Sequence, residues 1–76
     1  LKIDPVVLNS MPGSFAKACK CVPIKCVDNC YYIAMSDPLN SECVKEIKSY
    51  LGAADLKVFL SGDREISDTI RSYYGA

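Results

Sequence analysis

The sequence contains no histidine among its 76 residues. Histidine is the commonest general base, the usual partner of a catalytic serine or cysteine, and a frequent zinc ligand. Its absence therefore excludes most enzyme mechanisms and every histidine-containing zinc site. The four glycines form neither a G-x-x-x-x-G-K-[ST] phosphate loop nor a G-x-G-x-x-G turn, so this stretch of chain has no recognisable nucleotide cradle. We expect a non-catalytic chain with no cofactor.

The chain also lacks net charge and long apolar runs. Nine Lys and Arg balance nine Asp and Glu, whereas nucleic-acid-binding surfaces need a basic excess. No apolar run approaches the roughly 20 residues of a membrane span. A chain of 76 residues that is 50% hydrophobic and 24% charged is typical of one small globular domain. Because the sequence starts at Leu1 and shows no signal-peptide pattern, we expect a single domain over residues 1–76, excised from a longer protein.

Five cysteines are many for so short a chain, and three roles compete for them: disulfides, metal ligation and reduced packing residues. They are Cys19, Cys21, Cys26, Cys30 and Cys43. An odd number argues against a disulfide framework. The spacing C-x-C-x4-C-x3-C differs from the C-x2-C pairs of zinc ribbons and from the ferredoxin run. We favour reduced thiols that pack as small hydrophobes, with no metal site.

Proline and capping residues predict the N-terminal helices. Asp4 followed by Pro5 is an N-cap with proline at the first helical position, which predicts a short helix to about Ser10. A second helix is predicted from Pro12 to about Cys19.

A β-hairpin follows, with strands at residues 21–27 and 30–35 and a tight turn at Asp28 and Asn29. A two-residue loop places Cys26 and Cys30 on opposite faces, which argues against a disulfide between them. It also predicts one shared hydrophobic face, made of Val22, Ile24, Cys26, Tyr31, Ile33 and Met35.

The C-terminal half is predicted to form helix, strand and helix. Asn40 caps a helix that ends at Gly52, and residues 56–60 alternate as a half-buried strand. Ser61 is predicted to cap a last helix closed by Gly75, with Ile66, Ile70 and either Tyr73 or Tyr74 inward and an Arg64–Asp68 pair outside. The fold class is α+β, in the order α-β-β-α-β-α. A three-stranded sheet packs with the helices, and residues 31–35 are placed at its centre, with a central first strand as the alternative order.

Few residues suggest chemistry, and each has a structural alternative. The run Ser61-Gly62-Asp63 could bind an anion, but a plain helix cap is favoured since Asp63 is itself negative. Asp37 precedes Pro38, which favours a strand-to-helix junction over a catalytic carboxylate. Exposed tyrosines would favour protein docking, and the candidate partner-binding residues are Tyr32, Tyr73 and Tyr74.

Several segments together resemble a known family. They are residues 8–12, Val22-Pro23-Ile24, the run IAMSDPL at 33–39, Tyr50-Leu51-Gly52 and the ending 66–75. In this order and spacing they are similar to the small N-terminal domain of type II secretion and type IV pilus assembly ATPases, over residues 3–75. The signature residues, assigned structural roles, are Pro12, Pro23, Asp37, Pro38, Gly52 and Gly75. The tight Asp28-Asn29 turn and the cysteines depart from the family pattern.

The resemblance implies a cytoplasmic adaptor that precedes the motor domain of a bacterial protein-transport ATPase. It would dock the motor to the cytoplasmic part of an inner-membrane platform protein, at the inner face of that membrane, in a hexameric parent. No catalytic residue carries over. Some relatives bind cyclic di-GMP through upstream helices with Arg-Leu-Gly motifs that are absent here, so an alternative is half of a cyclic di-GMP sensing domain. A further alternative is the same module attached to a signalling or transferase domain.

Overall fold

Residues 2–75, which the computed structural model describes, form four helices and three strands. In chain order they are α1 (Pro5–Leu8), α2 (Gly13–Cys19), β1 (Cys21–Val27), β2 (Cys30–Met35), α3 (Ser41–Leu51), β3 (Asp55–Leu60) and α4 (Asp63–Tyr74). This is the predicted α+β order, with the first helical region divided in two. None of the helices in this part of the chain is long and apolar enough to cross a membrane.

The N-terminal helices begin where the prolines predict. The Asp4 side chain accepts a hydrogen bond from the Val6 N–H at 2.9 Å, and Pro5 occupies the first turn of α1. That helix ends at Leu8, two residues before the expected end at Ser10. Pro12 then takes an extended conformation directly before α2. The break at Pro12 follows because proline disfavours a helical conformation in the residue before it.

The sheet has the order β1-β2-β3, so β2 is central as predicted. The pairing of β1 with β2 is antiparallel and that of β2 with β3 is parallel. Helix α3 provides the crossover that a parallel pair needs. The hairpin turn has positive φ at both Asp28 and Asn29, 51° and 59°, which is the backbone that a two-residue turn requires.

The register of the hairpin corrects the predicted hydrophobic face. Cys26 opposes Tyr31 as expected, but a β-bulge between Pro23 and Lys25 leaves Ile24 without a partner, so Pro23 opposes Ile33. Cys26, Tyr31, Ile33 and Met35 therefore share a face with Cys21 and Pro23, and not with Val22, which opposes Ala34. Pro23 has no N–H to give to the ladder, and a bulge is one of the places where a sheet tolerates proline.

The caps of the later helices follow the sequence with two differences. Asn40 accepts from the Cys43 N–H at 3.2 Å, and Gly52 ends α3 in the left-handed region. The predicted Ser61 cap is wrong, because Gly62 holds the N-cap position of α4 and Ser61 donates its hydroxyl to Glu65 instead. The outer ion pair of α4 also differs from the prediction. Asp68 pairs with Arg71 at 3.4 Å and not with Arg64.

One hydrophobic core joins the helices to the sheet. Helices α1, α2 and α4 pack against β1, and α2 packs against α4. Helix α3 contacts α2 through Phe15 and Tyr50, whose ring centroids are 4.9 Å apart. The largest fully buried side chains are those of Met11, Ile33, Met35, Ile47, Ile66, Val22, Pro23 and Cys21.

Candidate functional site

The described part of the chain contains no evident reaction centre. Within residues 2–75, no group of three or more Cys, Asp or Glu side chains is placed to hold a metal ion. Every buried side-chain nitrogen or oxygen in the same range has a hydrogen-bond partner. Candidate sites are therefore surfaces and grooves, not a polar cluster awaiting a substrate.

The five cysteines are free thiols. Cys21 is fully buried, with its Sγ 3.7 Å from the Met11 sulfur. Burial, followed by the effect of nearby cysteines, raises the pKa of the Cys21 thiol to about 12. Burial, the Cys43 thiol and the Glu46 carboxylate likewise raise the pKa of Cys19 to about 12. Because the thiolate is the reactive form, these two residues are poor nucleophiles at neutral pH.

Tyr32 lies on a partly exposed region of the sheet that we call the hairpin patch, made of Lys25, Val27, Tyr32, Lys57 and Phe59. The strand register places Tyr32 opposite both Lys25 and Lys57. The Lys25 ammonium lies 4.6 Å from the centre of the Tyr32 ring, which is a cation–π distance. Val27 is 51% and Phe59 39% exposed, so the patch offers apolar area together with two cations.

The two C-terminal tyrosines point to different environments. Tyr74 packs against the core and its hydroxyl donates to the Leu8 carbonyl oxygen at 3.0 Å. Burial raises the pKa of Tyr74 to about 12. Tyr73 is 48% exposed. The four-residue spacing from Ile66 to Ile70 to Tyr74 is the sequence signal that separates the two. Partner binding by these tyrosines stays a prediction.

The signature residues occupy element boundaries, except Pro23, which lies within β1. Pro12 precedes α2, and Pro23 is buried beside the bulge. The Asp37 side chain accepts from the Leu39 N–H at 3.2 Å, across Pro38, in the turn before α3. This local bond fits the expected junction between strand and helix. Gly52 and Gly75 have φ of 62° and 74°, a conformation that side chains with a Cβ rarely adopt.

A groove that the sequence did not indicate runs between α2 and α4, and we call it the α2–α4 groove. Its volume is about 260 Å³, and it is lined by Lys17, Lys20, Ile66, Ser67, Ile70 and Arg71. Ser67 and Arg71 are four residues apart and so share one side of α4. They lie near Lys17 and Lys20 because α4 packs against α2. Residue spacing along one helix does not predict such packing between helices.

A second concavity lies where β2 and β3 end. It has a volume of about 420 Å³ and is lined by Ala18, Cys19, Lys20, Ser36, Asp37, Asn40, Cys43 and Asp63. Lys20 forms an ion pair with Asp63 across 3.6 Å. Two carboxylates, Asp37 and Asp63, line this concavity. They would repel an anion, so the structure does not favour anion binding by the run Ser61-Gly62-Asp63.

Fold and surface together define a small α+β domain with a three-stranded mixed sheet, whose described surface carries two concavities and several exposed apolar side chains. A family model, the MshEN domain, matches residues 1–76. The chain therefore belongs to the MshEN domain family, the N-terminal regulatory or binding modules of type II secretion and type IV pilus ATPases. The resemblance inferred from the sequence is thereby confirmed.

A solved structure supports the same fold. The structure described as MshE with cdg superposes with a TM-score of 0.88 at 19% sequence identity. The match covers 97% of this chain and 53% of that one, so the present chain spans about half the length of the solved chain. No curated protein sequence matches the chain.

Proposed function

We propose that the chain is an adaptor that precedes the motor domain of a secretion or pilus assembly ATPase and docks it to the cytoplasmic part of an inner-membrane platform protein. The observation that carries this proposal is the MshEN family match over all of residues 1–76. In this proposal the chain is part of a longer, hexameric ATPase that works in the cytoplasm beside the inner membrane. A phosphate-loop motif encoded downstream of Ala76 in the parent gene would support this arrangement.

Exposed apolar side chains support docking to a protein. Leu39 is 92%, Leu60 71% and Tyr73 48% exposed. Aromatic side chains such as Tyr73 are enriched at protein interfaces, and exposed apolar area can be buried by a partner. With the hairpin patch around Tyr32, they provide more than one surface on which a partner could lie.

Calorimetric titration of this chain with the cytoplasmic domain of the cognate platform protein tests the proposal. We expect measurable association, weakened by Tyr32→Ala or Tyr73→Ala. Tyr50→Ala is a matched control, because Tyr50 is a comparably exposed aromatic, at 52%, on a different helix. Each variant is first checked by thermal unfolding. Absence of association with any platform subunit encoded nearby would refute docking.

A second candidate function is cyclic di-GMP sensing, favoured by the likeness to the solved structure of MshE with cdg. The present chain matches 53% of that chain. In this proposal, upstream helices complete the nucleotide site and the present domain supplies the other half. Titrating cyclic di-GMP into a chain extended upstream tests it, with the 76-residue chain as the control. We expect the extended chain to bind cyclic di-GMP and the 76-residue chain not to bind it. Absence of binding by the extended chain would refute this second candidate function.

A further inference from the structure

We propose that the α2–α4 groove receives an acidic segment of the protein partner, anchored by one aliphatic side chain. This inference rests on the proposed docking function and names the surface and the chemistry of the partner. Three features carry it: an apolar base, a cationic rim, and a volume large enough to admit a side chain.

The base of the groove is apolar and already part of the core. Ile66 and Ile70 line it and are 1% and 4% exposed. Small-molecule sites in proteins commonly have volumes of roughly 300–1,000 Å³. The α2–α4 groove, at about 260 Å³, lies just below that range. A Leu or Ile side chain from a partner can enter it and extend the hydrophobic core outward.

The rim is cationic although the chain as a whole is neutral. Lys17, Lys20 and Arg71 line the groove, and none of its described lining residues is acidic. Two of these cations belong to exposed ion pairs, Lys20–Asp63 at 3.6 Å and Arg71–Asp68 at 3.4 Å. Such pairs contribute about 0–1 kcal/mol, so a carboxylate from a partner can replace them at little cost. Opposite charge across an interface favours encounter and fixes register.

Phosphate ligands fit the groove less well than a peptide. Lining residues 66–71 lie within α4 beyond its first turn, where backbone N–H groups are already bonded within the helix. No free helix N-terminus is therefore offered to a phosphate. Polybasic segments that bind anionic lipid surfaces usually carry about 4–8 cations, more than line this concave groove.

Charge reversal tests the inference. The groove variant Lys17→Glu/Arg71→Glu is compared with the control Lys45→Glu/Lys48→Glu on α3. The change in net charge is the same, and Lys17 and Lys48 both lie in the last turn of their helices. Ser67→Trp is a second groove variant, which obstructs the groove without changing charge. Thermal unfolding verifies that each variant folds. The probe is the platform protein's cytoplasmic domain, titrated by calorimetry at two salt concentrations.

We expect both groove variants to weaken binding by about ten-fold or more, and the control to stay within about three-fold of the wild-type chain. If the wild-type chain binds and the groove variants bind equally well, the groove inference is wrong while docking stands. If the wild-type chain does not bind, both proposals fall. The groove assignment is also overturned if its charges control binding to vesicles containing phosphatidylglycerol, or to cyclic di-GMP, instead of to the platform domain.

Discussion

Replacing Tyr74 with phenylalanine removes one hydrogen bond and leaves the ring in place. The Tyr74 hydroxyl donates to the Leu8 carbonyl oxygen at 3.0 Å, joining residues 66 positions apart in the chain. A neutral hydrogen bond of this kind contributes about 1 kcal/mol to the free energy of unfolding. In a domain of this size that loss lowers Tm by roughly 4–8 °C. We expect Tyr74→Phe to reduce the urea midpoint without changing the m-value.

The stability difference between the wild-type chain and this variant should depend on pH. The pKa of Tyr74 rises from 10.0 to about 12 in the folded chain, chiefly through burial. Since the neutral phenol is favoured by folding, its stabilising contribution is complete below pH 10 and is lost as pH rises towards 12. The phenylalanine variant has no such group. The wild-type chain should therefore be more stable than the variant by its whole margin at neutral pH, and this margin should shrink as the pH rises above 10.

Tyr50→Phe is the matched control for Tyr74→Phe. Tyr50 is 52% exposed, and the phenylalanine ring would keep the contact with Phe15, whose centroid lies 4.9 Å away. We expect its unfolding free energy to stay within about 0.5 kcal/mol of the wild-type value. The reasoning is refuted if Tyr50→Phe costs as much as Tyr74→Phe, or if the difference for Tyr74→Phe is unchanged at pH 11.

Three further predictions concern caps and thiols. Asn40→Ala removes the side-chain cap of α3 and should reduce the unfolding free energy by about 1 kcal/mol, measured by urea titration. Gly52→Ala should cost a similar amount, about 1 kcal/mol, because φ is +62° there. Gly62→Ala adds a Cβ in open space without a positive φ, and its smaller expected cost comes from replacing a favoured N-cap residue of α4 with alanine. Cys21, buried against Met11, should be labelled by a soluble disulfide reagent far more slowly in the folded chain than in urea, as followed by mass spectrometry; equal rates would contradict its burial.

Signals confined to neighbouring residues predicted the elements well. Asn40 and Gly52 mark the observed limits of α3, and Asp28 with Asn29 forms the expected turn. The central position of β2 also followed, because that strand is apolar on both faces whereas the first strand carries Pro23 and Lys25. In each case the structure places a local requirement on the residue type: a helix cap, a positive φ, or an apolar side chain on both faces of a strand.

The features that the sequence did not predict depend on contacts between residues distant in the chain. The bulge at Ile24 shifts the register of half the hairpin, and alternation along one strand does not reveal such an insertion. The α2–α4 groove joins side chains about fifty positions apart, for example Lys17 and Ser67. The four-residue spacing from Ile70 favours Tyr74 over Tyr73 as the inward-facing tyrosine, and Tyr74 is the one that packs against the core.

The bulge also protects one edge of the sheet from other chains. A regular outer edge on β1 would present a row of unpaired amides and carbonyls, the template on which proteins aggregate or exchange strands. Pro23 removes one donor from that row, and the Ile24 carbonyl is already occupied by the Asp4 N–H at 3.0 Å. Two copies of this domain brought close together would therefore be less able to pair strand to strand through β1.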